Sequence, residues 1–274
     1  MIIATDLDGT LISSDTSISN ENLGAIKRLS EYGAHIVLVT GRTFYEILPQ
    51  LIECPYIDYF VYSNGACIYK QGSGLAFSNC MPAGAALSIY DIFNSYKTFV
   101  ELYTHGKPLV DKSKFCDSGF EFYKISPAFL PELKRSRIPV ENLNAEMEKN
   151  AADIEMFDVF FADANERLEC RKRIETEFPD FQITTSLDNN LEVMNQGVNK
   201  GTGIKKLCEI AGYDLNDIVA FGDSKNDITM FEAIENSYAV SNACPELKKI
   251  SKGIACSNDE NIMLWAENKF YGSK

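Results

Sequence analysis

Met1-Ile2-Ile3-Ala4-Thr5-Asp6-Leu7-Asp8-Gly9-Thr10-Leu11 opens the chain. Ile2–Thr5 is an apolar run, long enough for a buried strand and too short for a helix. The run ends in Asp6 and Asp8, and in open α/β sheets ligands bind at the carboxyl ends of the strands. Residues two apart on an extended chain share a face, so both carboxylates lean toward one point. Two carboxylates share a small volume only when a cation or a proton joins them. Gly9 lets the backbone turn away, and Thr10 adds a hydroxyl. Taken alone, the segment reads equally well as a strand-ending turn with Asp6 as a cap.

Strand and helix signals alternate after it. Ser19 or Asn20 caps a helix with apolar positions Leu23, Ile26 and Leu29, closed by Gly33. Residues 35–40 are a second buried strand, and 44–53 a helix that Pro49 disturbs. Residues 58–63 form a third strand, and 66–70 with 75–79 a hairpin around Gln71-Gly72-Ser73-Gly74. Strands spaced by helices imply parallel βαβ units with right-handed crossovers. From about Pro82 the pattern changes and aromatics thicken between Tyr90 and Tyr123, as in a domain core. A helix over 83–97, a strand over 98–103, a turn at His105-Gly106, a strand over 155–162, a helix over 165–178 and paired strands over 181–186 and 190–194 read as α+β. Alternation returns after about Asn195, with strands at 217–221, 238–240 and 253–256 between helices. The expected architecture is α/β: a Rossmann-like, doubly wound parallel sheet core in residues 1–81 and 189–274, with an inserted α+β domain at 82–188.

Lys and Arg number 26 against 39 Asp and Glu, a formal net charge of −13. That argues against a nucleic-acid or anionic-membrane partner, and an anionic substrate then needs a local cluster of donors. No stretch approaches the ~18 uncharged apolar residues of a spanning helix, and the first residues do not read as a signal peptide. Eight scattered cysteines without a CxxC, and two histidines near no Cys pair, read as free thiols in a reducing cytoplasm rather than as a zinc site.

Three further segments place polar groups where strands end or helices begin. Thr40-Gly41-Arg42 offers a hydroxyl and free amides, which suit a phosphate. Lys200 opens a helix, where a cation opposes the dipole. Val219-Ala220-Phe221-Gly222-Asp223-Ser224-Lys225-Asn226-Asp227 runs an apolar strand into two more carboxylates. Separately these also read as a turn, a solvated lysine and a helix cap. Together they would meet on one sheet edge, with three or four carboxylates, one hydroxyl, one Lys and several amides. All-oxygen ligation points to Mg²⁺, and the Lys, hydroxyl and amides to a phosphoryl group. With no Ser–His or Cys–His pair apparent, the nucleophile is a carboxylate.

In that order, DLDGT, TGR, a Lys and GDSKND resemble the haloacid dehalogenase superfamily of phosphohydrolases. Ser63-Asn64-Gly65-Ala66 and Val240-Ser241-Asn242-Ala243 resemble segments of its Cof-type branch, where a large α/β cap sits between the second and third motifs. The resemblance implies that Asp6 is the nucleophile, forming an aspartyl-phosphate. It makes Asp8 the acid for the leaving oxygen and then the base for water, kept protonated by burial beside other acids. Thr40, Gly41, Lys200 and Asn226 hold phosphoryl oxygens. Asp6, the Asp8 carbonyl and Asp223 bind Mg²⁺ with Asp227 in support, and Arg42 and Asn64 meet the substrate. Asp259-Glu260 stands where the branch often has an acidic-Gly pair, and Ser241 replaces a more usual Gly. The implied protein is a Mg²⁺-dependent phosphatase of small phosphorylated metabolites, either sugar phosphates or cofactor and nucleotide monophosphates. Its cap sets specificity, and it is a monomer or weak homodimer. A phosphosugar mutase and a non-catalytic metabolite-binding regulator are the alternatives.

Overall fold

Ile2, Ile3 and Ala4 are buried, and the strand they form, β1 (Ile2–Thr5), lies inside a sheet rather than at its edge. The computed structural model describes residues 1–127, 129–185 and 187–272. It divides into two compact units: residues 1–41, 47–77 and 199–274, and residues 42–46 and 78–198.

The first unit continues with α1 (Asn20–Glu31), started by Ser19 accepting from the Asn22 N–H, then β2 (His35–Val39). The helix expected over 44–53 is instead a 3₁₀ turn at Phe44–Glu46 and a separate short helix, α2 (Pro49–Ile52). Pro49 causes the break, because it lacks an N–H and is tolerated only in the first turn. Next come β3 (Tyr59–Tyr62), β4 (Cys67–Lys70) and β5 (Gly74–Ser78).

The second unit contains α3 (Ala83–Asn94), β6 (Thr98–Thr104), β7 (Lys107–Asp111), α4 (Asp117–Phe122), α5 (Leu130–Ser136), β8 (Ile138–Val140), α6 (Leu143–Lys149), β9 (Ile154–Phe161), α7 (Ala164–Glu177), β10 (Gln182–Thr184) and β11 (Asn190–Met194). Ser186, the end of the strand expected over 181–186, lies outside the described residues. The chain then returns to the first unit with α8 (Lys200–Ala211), β12 (Ile218–Gly222), α9 (Ile228–Ala233), β13 (Ser237–Ala239), α10 (Pro245–Ile250), β14 (Gly253–Ile254) and α11 (Ile262–Phe270).

In the first unit the strand order is β14-β13-β12-β1-β2-β3-β4-β5, parallel from β14 through β3 and antiparallel at β3–β4. The chain winds outward from β1 on one side and resumes at β12 on the other. The switch point therefore falls between the strands that end at Asp6 and Asp223, where a doubly wound sheet opens its ligand crevice.

In the second unit the order is β10-β11-β9-β6-β7-β8, antiparallel except for β7–β8. His105 and Gly106 both take positive φ, 51° and 71°, and so make the predicted tight turn between β6 and β7. Val100, Leu102, Phe157, Val159, Phe161, Leu191 and Val193 share one buried core with α3 and α7, and Phe99, Phe120, Tyr123 and Phe160 share another. The aromatics are therefore largely this unit's own interior. The boundary expected at 188/189 is corrected to 198/199. All of β11 pairs with β9, from Asn190 opposite Phe160 to Met194 opposite Met156. Asn195 closes the unit by donating to the Cys80 carbonyl at 2.8 Å.

Glu101, Asp158 and Glu192 stand directly opposite one another on β6, β9 and β11, all buried. Like charges so placed oppose folding. Burial first, then Glu192 and Glu101, hold the Asp158 carboxyl well above the usual range, against the pull of Arg137. A carboxyl raised in the fold loses stability as pH climbs past its unfolded value of about 3.9. Asp158→Asn keeps an acceptor for the Asn190 amide, which donates at 2.9 Å. The variant should gain about 1–2 kcal/mol at pH 8, read as a higher Tm, with the gain shrinking toward pH 4. A Tm at pH 8 equal to or below wild type would contradict this. Among the described residues no helix is long and apolar enough to cross a membrane.

Candidate active site

The first acidic loop begins where β1 stops. Asp6 is 4% exposed, and its N–H donates to the Phe221 carbonyl of β12 at 3.0 Å. The loop then folds on itself: the Thr10 and Ile12 N–H groups donate to the Leu7 carbonyl at 3.2 and 2.8 Å. Gly9 is required here twice over. Its φ is +65°, and a Cβ would lie 2.4 Å from Asp223 Oδ2. Asp8 is exposed, so the burial expected to keep it protonated is absent. A loop residue beyond the end of β1 gains no cover from the sheet.

The second acidic loop follows β12. Asp227, fully buried, accepts the N–H groups of Asp223 and Ser224 on Oδ2, at 2.9 and 3.0 Å, and the Lys200 ammonium on Oδ1, at 2.7 Å. Both its oxygens are thus engaged in shaping this loop and placing the lysine. Ser224 completes a capping box with Asp227.

Lys200 is the first residue of α8, behind an Asn199/Thr202 capping box. Gly201 and Gly203 make no phosphate loop. A Cβ on Gly201 would meet the Thr229 carbonyl at 2.2 Å, and one on Gly203 the Gly65 Cα at 2.8 Å. Small residues let α8 settle against its neighbours and drive Lys200 inward, where it is 1% exposed. Its Nζ donates to Asp6 Oδ1 at 2.6 Å as well as to Asp227. Burial alone would lower this ammonium's pKa, but Asp227 and then Asp6 hold it above the ordinary lysine value.

Burial also pushes the Asp6 carboxyl well up; Lys200 opposes this, while Asp227, Asp223 and Asp8 add to it. Asp223 is pushed up to about 6, by burial first and Asp227 second. Its Oδ1 is buried and has no hydrogen-bond partner. Ligand oxygens of Asp6, Asp223 and Asp227 lie within 4.8 Å of one another. One lysine cannot neutralise three such carboxylates. The surplus negative charge, the orphaned oxygen and the all-oxygen donor set fit a hard divalent cation.

The remaining expected residues fall into two groups. Thr40 is buried at the end of β2, and its carbonyl accepts the Asn64 N–H at 3.0 Å. Asn64 takes a left-handed conformation, φ 54°, and its Oδ1 accepts from Asn226 Nδ2 at 3.2 Å. A Cβ on Gly41 would lie 3.1 Å from the same oxygen. Thr40, Gly41, Asn64 and Asn226 are therefore neighbours. Arg42 stands apart from these four. It groups with the second unit and donates to the Glu46 carbonyl at 2.7 Å and to Glu132 at 3.2 Å. These two bonds tie Arg42 to residues of the second unit.

The site reading missed Asn242, whose Nδ2 donates to the Gly9 carbonyl at 2.8 Å. The only sequence signal for it was the Ser241-Asn242-Ala243 segment, which has no local period to reveal a partner 233 residues away.

A family model described as haloacid dehalogenase-like hydrolase matches residues 3–264. The 5-amino-6-(5-phospho-D-ribitylamino)uracil phosphatase YwtE of Bacillus subtilis is 28% identical, over 94% of this chain and 94% of that protein. Phosphatase YwpJ of the same organism is 26% identical, over 95% and 96%. A haloacid dehalogenase-like hydrolase from Bacteroides thetaiotaomicron superimposes with a TM-score of 0.82 at 22% identity, over 98% of this chain and 99% of that one. A subclass IIB sugar phosphatase gives 0.80 at 20% identity, over 98% of each.

Proposed function

The chain belongs to the haloacid dehalogenase-like hydrolases, and from that premise we propose that it is a Mg²⁺-dependent phosphatase of small phosphorylated metabolites working through an aspartyl-phosphate. The observation that carries the reading is the convergence of Asp6, Asp223, Asp227 and Lys200 at one sheet edge.

Asp6 attacks phosphorus in line, forming the acyl-phosphate bond as the phosphorus–oxygen bond to the leaving group breaks. Asp8, beyond the buried cluster and open to solvent, gives its proton to the departing oxygen. It then takes a proton from the water that cleaves the aspartyl-phosphate, and Asp6 and free phosphate are restored. Lys200 shares its ammonium between Asp6 and a phosphoryl oxygen, with Thr40, the Gly41 amide and Asn226 as further donors. Asp6, Asp223 and the Asp8 carbonyl would hold Mg²⁺, with Asp227 behind them. The ion supplies charge neutralisation, letting a carboxylate approach an anionic phosphate.

Residues 78–198 are the cap that selects the leaving group. The phosphatase names of the curated relatives support a phosphomonoester substrate, and free thiols at all eight cysteines suit a reducing cytoplasm.

The test is a phosphate-release assay on p-nitrophenyl phosphate, glucose 6-phosphate, ribose 5-phosphate, flavin mononucleotide, pyridoxal phosphate and 5-amino-6-(5-phospho-D-ribitylamino)uracil. Release should vanish with EDTA and return with excess Mg²⁺. Release that persists in EDTA and in Asp6→Ala would overturn the mechanism. An isomeric sugar phosphate in place of free phosphate would indicate a mutase.

A further inference from the structure

We infer that Asn242 is a positioning residue for general acid catalysis, holding the loop that carries Asp8 through the Gly9 carbonyl. The inference rests on the phosphatase reading.

Asp8 lies beyond the end of β1, is exposed, and bridges to Ile12 within its own loop. That loop is gripped from the far end of the chain. Asn242 Nδ2 donates to the Gly9 carbonyl at 2.8 Å, and Asn242 Oδ1 accepts the Asn258 N–H at 3.0 Å. Asn258 in turn donates from Nδ2 to the Ile12 carbonyl at 3.2 Å and to Ser14 Oγ at 3.3 Å. Two asparagines thus tie down the peptide next to Asp8 and the strand of loop after it. The turn that carries Asn242 also reaches the other acidic loop. The Cys244 N–H donates to the Asp223 carbonyl at 2.8 Å, and the Val240 N–H to the Gly222 carbonyl at 3.1 Å. One turn therefore sets the spacing between the loop of the acid and the loop of Asp223.

An amide that binds a neutral carbonyl changes no charge at the site. What it contributes is orientation, and misplacement by about 1 Å can cost on the order of 10²-fold in rate. The loss should depend on the leaving group. An alkoxide leaves only with a proton from Asp8, whereas p-nitrophenolate leaves without one. The quantity to read is kcat/KM, which reports phosphoryl transfer to Asp6 and not the later water step, where Asp8 serves every substrate alike.

The experiment compares wild type, Asn242→Ala and Asn242→Asp, the last keeping an acceptor for Asn258 but losing the donor to Gly9. Substrates are p-nitrophenyl phosphate and the alkyl phosphate of the panel that wild type turns over fastest, with Tm as the folding control. Both variants should lose about 10-fold or more on the alkyl phosphate and stay within about 2-fold on p-nitrophenyl phosphate. Equal losses on the two substrates, or none on either, overturn the inference while leaving the phosphatase intact. Wild type that releases phosphate from neither substrate overturns the phosphatase reading, and this inference falls with it.

Discussion

Asp6→Asn should release phosphate more slowly than wild type by on the order of 10⁵-fold or more, the scale on which losing a nucleophile is felt, and should do so without unfolding. The second half of that expectation gives the first its meaning. In the native site the Asp6 charge is opposed by burial and by three neighbouring acids, with Lys200 alone in its favour. Asparagine has the same shape without that charge, so in EDTA its Tm should equal or exceed that of wild type. In Mg²⁺ the order should reverse, because wild type gains binding free energy from a ligand that the variant has lost. An inactive variant with an intact Tm and a blunted Mg²⁺ response assigns Asp6 to both nucleophile and ligand. An Asp6→Asn protein retaining a tenth of wild-type activity would remove the aspartyl-phosphate from the mechanism.

Legibility in the sequence followed the range of the physics involved. Local signals sufficed for β1, β2 and β12, whose apolar runs end at Asp6, Thr40 and Asp223, and for the His105-Gly106 turn, where backbone conformation decides. Lys200 was legible because a cation at a helix N-terminus is locally unfavourable; its burial between Asp6 and Asp227 accounts for the anomaly. Features set by distant partners were not legible. Nothing near 190–194 says which sheet receives it, because an apolar strand fits either; pairing with β9 decides. The bond from Arg42 to Glu132, ninety residues on, was equally invisible. Asp8 was expected to be buried because a general acid must keep its proton, and nothing local shows that the loop past β1 leaves it exposed. Asn242 and Asn258 act through single side-chain bonds to backbone across more than 230 residues, and no local pattern encodes such a bond.

Lys200→Met should lower both stability and substrate affinity, and the two losses should separate on adding Mg²⁺. Methionine fills the volume but leaves Asp6 and Asp227 buried without their cation. Breaking one side of a buried ion pair costs about 3–5 kcal/mol, and a domain of this size loses ~2–4 °C of Tm per kcal/mol, so a fall of about 10 °C is expected in EDTA. The lysine's own titration plays no part near neutrality. Its pKa is raised in the fold, so its contribution is complete below the unfolded value of about 10.4 and fades only above it. Asp6 does matter: its carboxyl is held well above the usual range, so as pH falls it takes up a proton, needs the ammonium less, and the deficit narrows. Mg²⁺ should restore much of the Tm, since it meets the same surplus negative charge. It should not restore kcat/KM, which stays on the order of 10²–10³-fold low, because in the proposed mechanism the lost donor serves the phosphoryl oxygens as well as the acids. Lys200→Arg sharpens the distinction: the charge remains, but a planar fork does not fit a site built for one compact ammonium between two carboxylates. Its Tm should lie above that of Lys200→Met while its activity stays low. A Lys200→Met protein that melts like wild type in EDTA would mean that the buried acids are not ionised in the fold, and the electrostatic account of this site would fall with it.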